Sequence, residues 1–200
     1  MLFKQGNIDK AYEFANDIAV NLTMMDKSNN DMFWDNSAGS FFFGLILLLF
    51  KYCSENNEPI EAVNIGNILR LRNILCTGDS DSIRNNVLWL YAKTDTFIAS
   101  TLIGTLETAN DTRAGILSVF DQKMRAFSIQ PSLLDMLSYN DINYESLSKK
   151  PTAFFLILPD EKTGYHGLVS LFVKQSYEYL IFKAQDSIHR SQELGNRVNY

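Results

Sequence analysis

The segment Lys149-Lys150-Pro151 followed by Thr152-Ala153-Phe154-Phe155-Leu156-Ile157-Leu158 and closed by Pro159-Asp160-Glu161 constrains this chain more than any other. An apolar run without alternation, entered after one proline and left through another, has the pattern of a parallel strand covered on both faces. Such a strand needs neighbours. The chain offers almost no other strand pattern, apart from Val198-Asn199-Tyr200 at its end. The amphipathic run Tyr165 to Phe182 predicts a helix directly after it. The pair therefore reads as a strand–helix unit whose sheet lies mostly outside these residues, in a chain that is a piece of a larger machine.

Everything before this unit reads as helix. Ala11, Phe14, Ala15, Ile18, Ala19 and Leu22 share one helical face after the candidate cap Asn7. The polar stretch Asp26 to Asp31 reads as a loop, and a second helix is expected from Met32 to about Cys53. Its block Ala38 to Phe50 is the most apolar of the chain. At 1.5 Å per residue that block falls short of the roughly 20 apolar residues a membrane span needs, so it predicts a buried core helix. A shorter helix is expected within Ala62 to Leu75, and another from Ser82 through Tyr91. Ile98, Leu102, Leu106, Ala109, Ile116, Phe120, Met124 and Phe127 fit one long helix, or two if Asn110-Asp111-Thr112 caps the second. Pro131 suits the first position of a short helix reaching Leu137, and Ile142 to Leu147 reads as one further turn.

Chemistry leaves few marks. Phe154 to Leu158 followed by Asp160 and Glu161 resembles a Walker B strand, yet no G-x-x-x-x-G-K-[ST] loop is present to hold the nucleotide. Asp160 and Glu161 then read as turn residues that cap the next helix. His166 and His189 are the two histidines, too few for a three-ligand site, and neither Cys53 nor Cys76 belongs to a CxxC pair, so no metal centre is expected and both cysteines read as buried free thiols. No G-x-S-x-G elbow supports a hydrolase. The net charge of −5 argues against a dominant phosphate-binding surface. Trp34 is a candidate partner anchor or a staple of the core helix. Arg113, Lys123 and Arg125 are candidate partner-binding cations, or part of a solvated mixed-charge face shared with Asp111 and Asp121.

Three segments together carry a resemblance. Met32-Phe33-Trp34-Asp35-Asn36-Ser37-Ala38 before the apolar helix, Thr112-Arg113-Ala114-Gly115-Ile116-Leu117-Ser118, and the run from Pro151 to Asp160 are similar, in order and spacing, to the VirD4/TraG coupling proteins of type IV secretion. The resemblance spans nearly the whole chain. It implies a mainly α fold, a helical bundle (the all-α domain of that family) with a C-terminal strand–helix unit belonging to a P-loop ATPase α/β sheet. Residues 1–22 would lead out of the nucleotide-binding domain, 23–148 would form the all-α domain, and 149–200 would return into the sheet. Walker A and the membrane anchor are expected before Met1, and Walker B from about Val198 onward, so no catalytic residue of the family falls on this chain. The resemblance implies ATP and Mg for the full-length hexameric family and no cofactor here. It further implies a relaxosome or secreted-substrate protein as partner, with DNA the second candidate, at the cytoplasmic face of the membrane. The acidic balance favours protein over DNA. A stand-alone helical adaptor that pairs through its apolar strand edge is the competing reading.

Overall fold

The computed structural model describes residues 7–24, 32–139, 142, 152–157 and 165–189. It is mainly helical and divides into two units, Met1–Tyr139 and Asn140–Tyr200.

The first unit is built around its most apolar helix. Helix α1 (Ile8–Met24) is followed by α2 (Met32–Glu55), and α2 packs against α1, α3 (Ile65–Leu75), α6 (Thr96–Leu106) and α7 (Asn110–Ser128). A helix apolar on all sides must be covered on all sides. Phe41, Phe42, Leu45, Leu47 and Leu48 of α2 are accordingly buried. The 24 residues of α2 exceed the apolar block visible in the sequence, and by length and composition this helix could cross a membrane. Here 61% of its most apolar window is buried by the surrounding helices, the position of a core helix.

Small side chains decide how closely its neighbours approach. Helix α1 presents Ala11, Ala15, Ala19 and Thr23 at four-residue intervals, all buried, and Thr23 donates to the Ala19 carbonyl at 2.8 Å. That stripe lets the two axes close up, because interaxial distance follows side-chain size. On another side of α2, Gly44 faces α6. A Cβ there would lie 2.5 Å from Thr101 Oγ1 and 2.6 Å from Leu102 Cδ2.

Three of the shorter helices are set by their caps. Asn64 caps α3 by accepting from Asn67 N, and Asp79 caps α4 (Ser80–Arg84) by accepting from Ser82 N. Between α4 and α5 (Val87–Ala92), Asn86 Oδ1 accepts from Leu88 N and Trp89 N while its Nδ2 donates to the Ile74 carbonyl. The single helix expected through Ser82 to Tyr91 is thus two. The long pattern from Ile98 to Phe127 also resolves into two helices, α6 and α7. They separate at Glu107–Ala109, and Ala109 supplies no side-chain cap. Pro131 does open α8 (Pro131–Met136).

The second unit contains α9 (His166–His189), longer than the run expected from Tyr165 to Phe182. Residues 152–157 form no strand, and no strand occurs among the described residues. Phe154 meets Phe172 of α9 edge-on at 5.7 Å, while Phe155 and Ile157 are 87% and 93% exposed. No strand ladder forms here among the described residues, and hydrogen bonding to a neighbouring strand is what makes extended backbone a strand. The expected turn at Ile142 to Leu147, apart from residue 142, lies outside the described residues, as do Asp160, Glu161 and Val198 to Tyr200.

Candidate functional site

Two of the three sequence motifs meet. Trp34, in the first turn of α2, rests its ring against Gly115 of α7, where a Cβ would come within 2.5 Å of the indole Cζ3. One turn of small residue makes the seat for one large one. The next residue, Asp35, pairs with Lys123 two turns further along α7 at 3.5 Å, with the side chains only 15% and 4% exposed. Phe33 meets Trp34 edge-on at 5.1 Å, and Met32 and Phe33 are left exposed beside this seat.

The candidate cations separate. Arg113 is buried, its guanidinium donating to Asn110 Oδ1 at 2.5 Å and, at 3.4 Å, to Ser80 Oγ and the Leu106 carbonyl. It ties the start of α7 to α4 and to the end of α6. Lys123 is turned inward to Asp35, whereas Arg125 is exposed. Trp34, Gly115 and Lys123 therefore form one corner, Arg113 a second, and Arg125 faces solvent.

Most other cations of this unit are engaged by carboxylates. Lys10 pairs with Glu13 at 2.7 Å, Lys51 with Glu55 at 2.5 Å, Lys93 with Glu107 at 2.5 Å, and Arg72 with Asp121. Asn140–Tyr200 carries as many acidic as basic residues, so the negative balance of −5 falls on the residues before it. Among the described residues the helical unit offers a phosphate backbone little unpaired positive charge beyond the exposed Arg70 and Arg125.

The Glu107 cluster also fixes the α5–α6 corner. The buried Trp89 donates Nε1–H to Glu107 Oε1 at 2.9 Å, and Lys93 lies 4.7 Å over the indole. Hydrogen bonds from Lys93 and then Trp89 hold the Glu107 carboxyl below its ordinary 4.5. A depressed carboxyl contributes stability above its unfolded-state value and loses it as pH falls through the folded-state value. Glu107→Gln keeps an acceptor for Trp89 and removes the charge. Thermal melts of the variant should start a few degrees lower at neutral pH and then fall less than the parent's as pH drops below about 4.5. Equal acid sensitivity in both proteins would remove Glu107 from the acid response.

Neither cysteine is poised for chemistry. Both are free thiols; Cys53 is buried, and burial pushes Cys76 up to about 11, which keeps it protonated at neutral pH. Among the described residues no group of three or more His, Cys, Asp or Glu could hold a metal ion.

The family model of the type IV secretory system conjugative DNA transfer proteins matches residues 7–194. The chain belongs to this family. The match runs through both units and supports a coupling-protein region, which places the chain in membrane-associated secretion machinery. Comparison with curated proteins and with solved structures finds no match. The Trp34–Gly115 seat joins two of the segments that carry the coupling-protein resemblance.

Proposed function

We propose that this chain is the all-α region of a conjugative coupling protein and recognises relaxosome or secreted-substrate proteins on their way to the secretion channel. The disposition of charge carries this reading. Duplex binding draws its affinity from Lys and Arg that displace counterions, and here most of the described ones are paired with Asp or Glu within the unit. Contacts with protein are left. The exposed Phe33 beside Trp34, together with Arg125, are the first surface side chains assigned to that contact. Arg113 and Lys123 support it from inside, by holding α7 in place.

In this reading 23–148 is the recognition domain, 1–22 leads out of the nucleotide-binding domain, and 149–200 returns to it. The exposed, two-sided apolar segment 152–157 favours such a return, because Phe155 and Ile157 would be covered on joining a sheet. ATP and Mg would be held by other parts of the protein, and the chain alone would not hydrolyse ATP. Its place of work is the cytoplasmic face of the membrane. A salt titration of duplex DNA binding by the chain tests the preference for protein. Weak binding is expected, with no more than a shallow dependence of log K on log salt. Tight binding that falls steeply with salt would overturn it.

A further inference from the structure

Away from the Trp34 corner, three aromatic rings from three helices form a shelf at the surface. Phe97, in the first turn of α6, lies flat against Tyr12 of α1, with centroids 5.3 Å apart and planes 5° from parallel. Phe43 of α2 meets both rings edge-on, at 6.3 Å and 6.4 Å, and forms the floor. Tyr12 covers only part of Phe97, which is 49% exposed, and Ile8, one turn earlier on α1, is 46% exposed. Further along α6, Ser100 is exposed and a Cβ on Gly104 would meet no atom, so the shelf continues without obstruction.

Its rim is acidic. Asp95 caps α6 through Oδ1, which accepts from Phe97 N at 2.9 Å and Ile98 N at 3.2 Å. That cap holds the Asp95 carboxylate two residues before Phe97, and burial, then Asp95, raise the Tyr12 phenol above its ordinary 10.0. Lys51, which acts on the Tyr12 phenol in the opposite sense, pairs with Glu55 and lies over the Tyr91 ring.

We propose that this shelf docks a cationic protein segment, an arginine or lysine lying over Phe97 with its charge toward Asp95 and a neighbouring apolar side chain against Ile8. The inference rests on the recognition role above and names the surface and the chemistry of its partner. A cation over an aromatic face is drawn to the ring quadrupole, and arginine adds planar stacking. Aromatic side chains and a local field opposite to the partner's are what protein interfaces use for anchoring and for steering. Single-stranded nucleic acid also stacks on aromatic rings, but within a positively charged groove. The Asp95 rim has the wrong sign for phosphate.

Fluorescence anisotropy with the whole chain tests this. The probes are a labelled short peptide of repeating Arg-Leu-Gly, its Glu-for-Arg counterpart, and labelled oligothymidine. Phe97→Leu keeps apolar bulk and loses the ring, Asp95→Asn keeps the cap acceptor and loses the charge, and Asp135→Asn removes an exposed acid elsewhere. The arginine peptide should bind, and should weaken by about threefold to thirtyfold in Phe97→Leu and by at least about threefold in Asp95→Asn. Asp135→Asn should bind like the parent. Retention in Phe97→Leu, equal weakening in all three variants, or a Phe97-dependent preference for oligothymidine would each overturn the shelf. If relaxosome proteins bind Phe97→Leu as tightly as the parent, the shelf is wrong and the recognition role stands. If none binds the parent, that role fails and the peptide comparison still decides the shelf.

Discussion

Phe120→Ala is expected to destabilise the helical unit by about 3–5 kcal/mol, the range for emptying a buried Phe site. Phe120 is 0% exposed and meets Phe41 edge-on at 5.5 Å and Phe42 at 5.8 Å. Losing it removes the transfer energy of the ring, leaves a cavity between α2 and α7, and gives up two aromatic pairs worth about 0.5–1.5 kcal/mol each beyond their area. A rigid helix backbone on both sides limits how far the cavity can collapse. Phe120→Leu, which keeps most of the volume, should cost clearly less. Urea unfolding followed by far-UV circular dichroism reads both. A loss below about 1 kcal/mol in Phe120→Ala would mean that the α2–α7 interface is not where the unit draws its stability.

Gly44→Leu should cost about 3 kcal/mol or more, by the opposite fault of overpacking. Even a Cβ at Gly44 would sit 2.6 Å and 2.8 Å from two carbons of Leu102, a side chain that is itself fully buried, and 2.5 Å from Thr101 Oγ1. Leu102, enclosed on all sides, has little room to yield. Gly44→Ala should be milder, because the helix gains about 1 kcal/mol from replacing glycine while the contact with Leu102 costs more than that. Adding Leu102→Ala to Gly44→Leu should restore part of the lost stability, since the two sites share one contact. If the double variant is as unstable as the sum of the singles, α2 and α6 do not meet at Gly44.

How far the sequence could be read depended on whether a local pattern or a distant contact decides each feature. Ala11, Ala15 and Ala19, and Ile116, Phe120 and Met124, were legible because burial repeats at helical spacing. The break between α6 and α7 was left open, since Leu106 and Ala109 continue the spacing. What separates the helices includes Glu107, held by Trp89 and Lys93 from another helix. The break at Asn86 was missed for the same reason, its side chain being tied to the Ile74 carbonyl of α3. Thr152 to Leu158 has a strand pattern, and residues 152–157 lie exposed and outside any strand ladder among the described residues. A strand is a property of two chains of backbone, and one sequence run states only half of it.

The candidate cations divide in the same way. Nothing in the spacing of Arg113, Lys123 and Arg125 reveals that two of them face inward; the partners, Ser80 for one and Asp35 for the other, are distant in sequence. Gly115 in mid-helix was the available signal for the Trp34 seat, because a glycine there costs helix stability and calls for a packing reason. The Tyr12–Phe97 shelf carried no comparable mark.

The central claim is that the helical unit grips protein. Biolayer interferometry of the immobilised chain against a relaxase encoded in the same genome, with the relaxase's DNA target as a separate analyte, tests it most directly. Saturable binding of the relaxase with Kd on the order of micromolar or tighter is expected, with DNA binding far weaker at the same salt. Tight binding of the DNA alone, with no detectable binding of the relaxase, would contradict it.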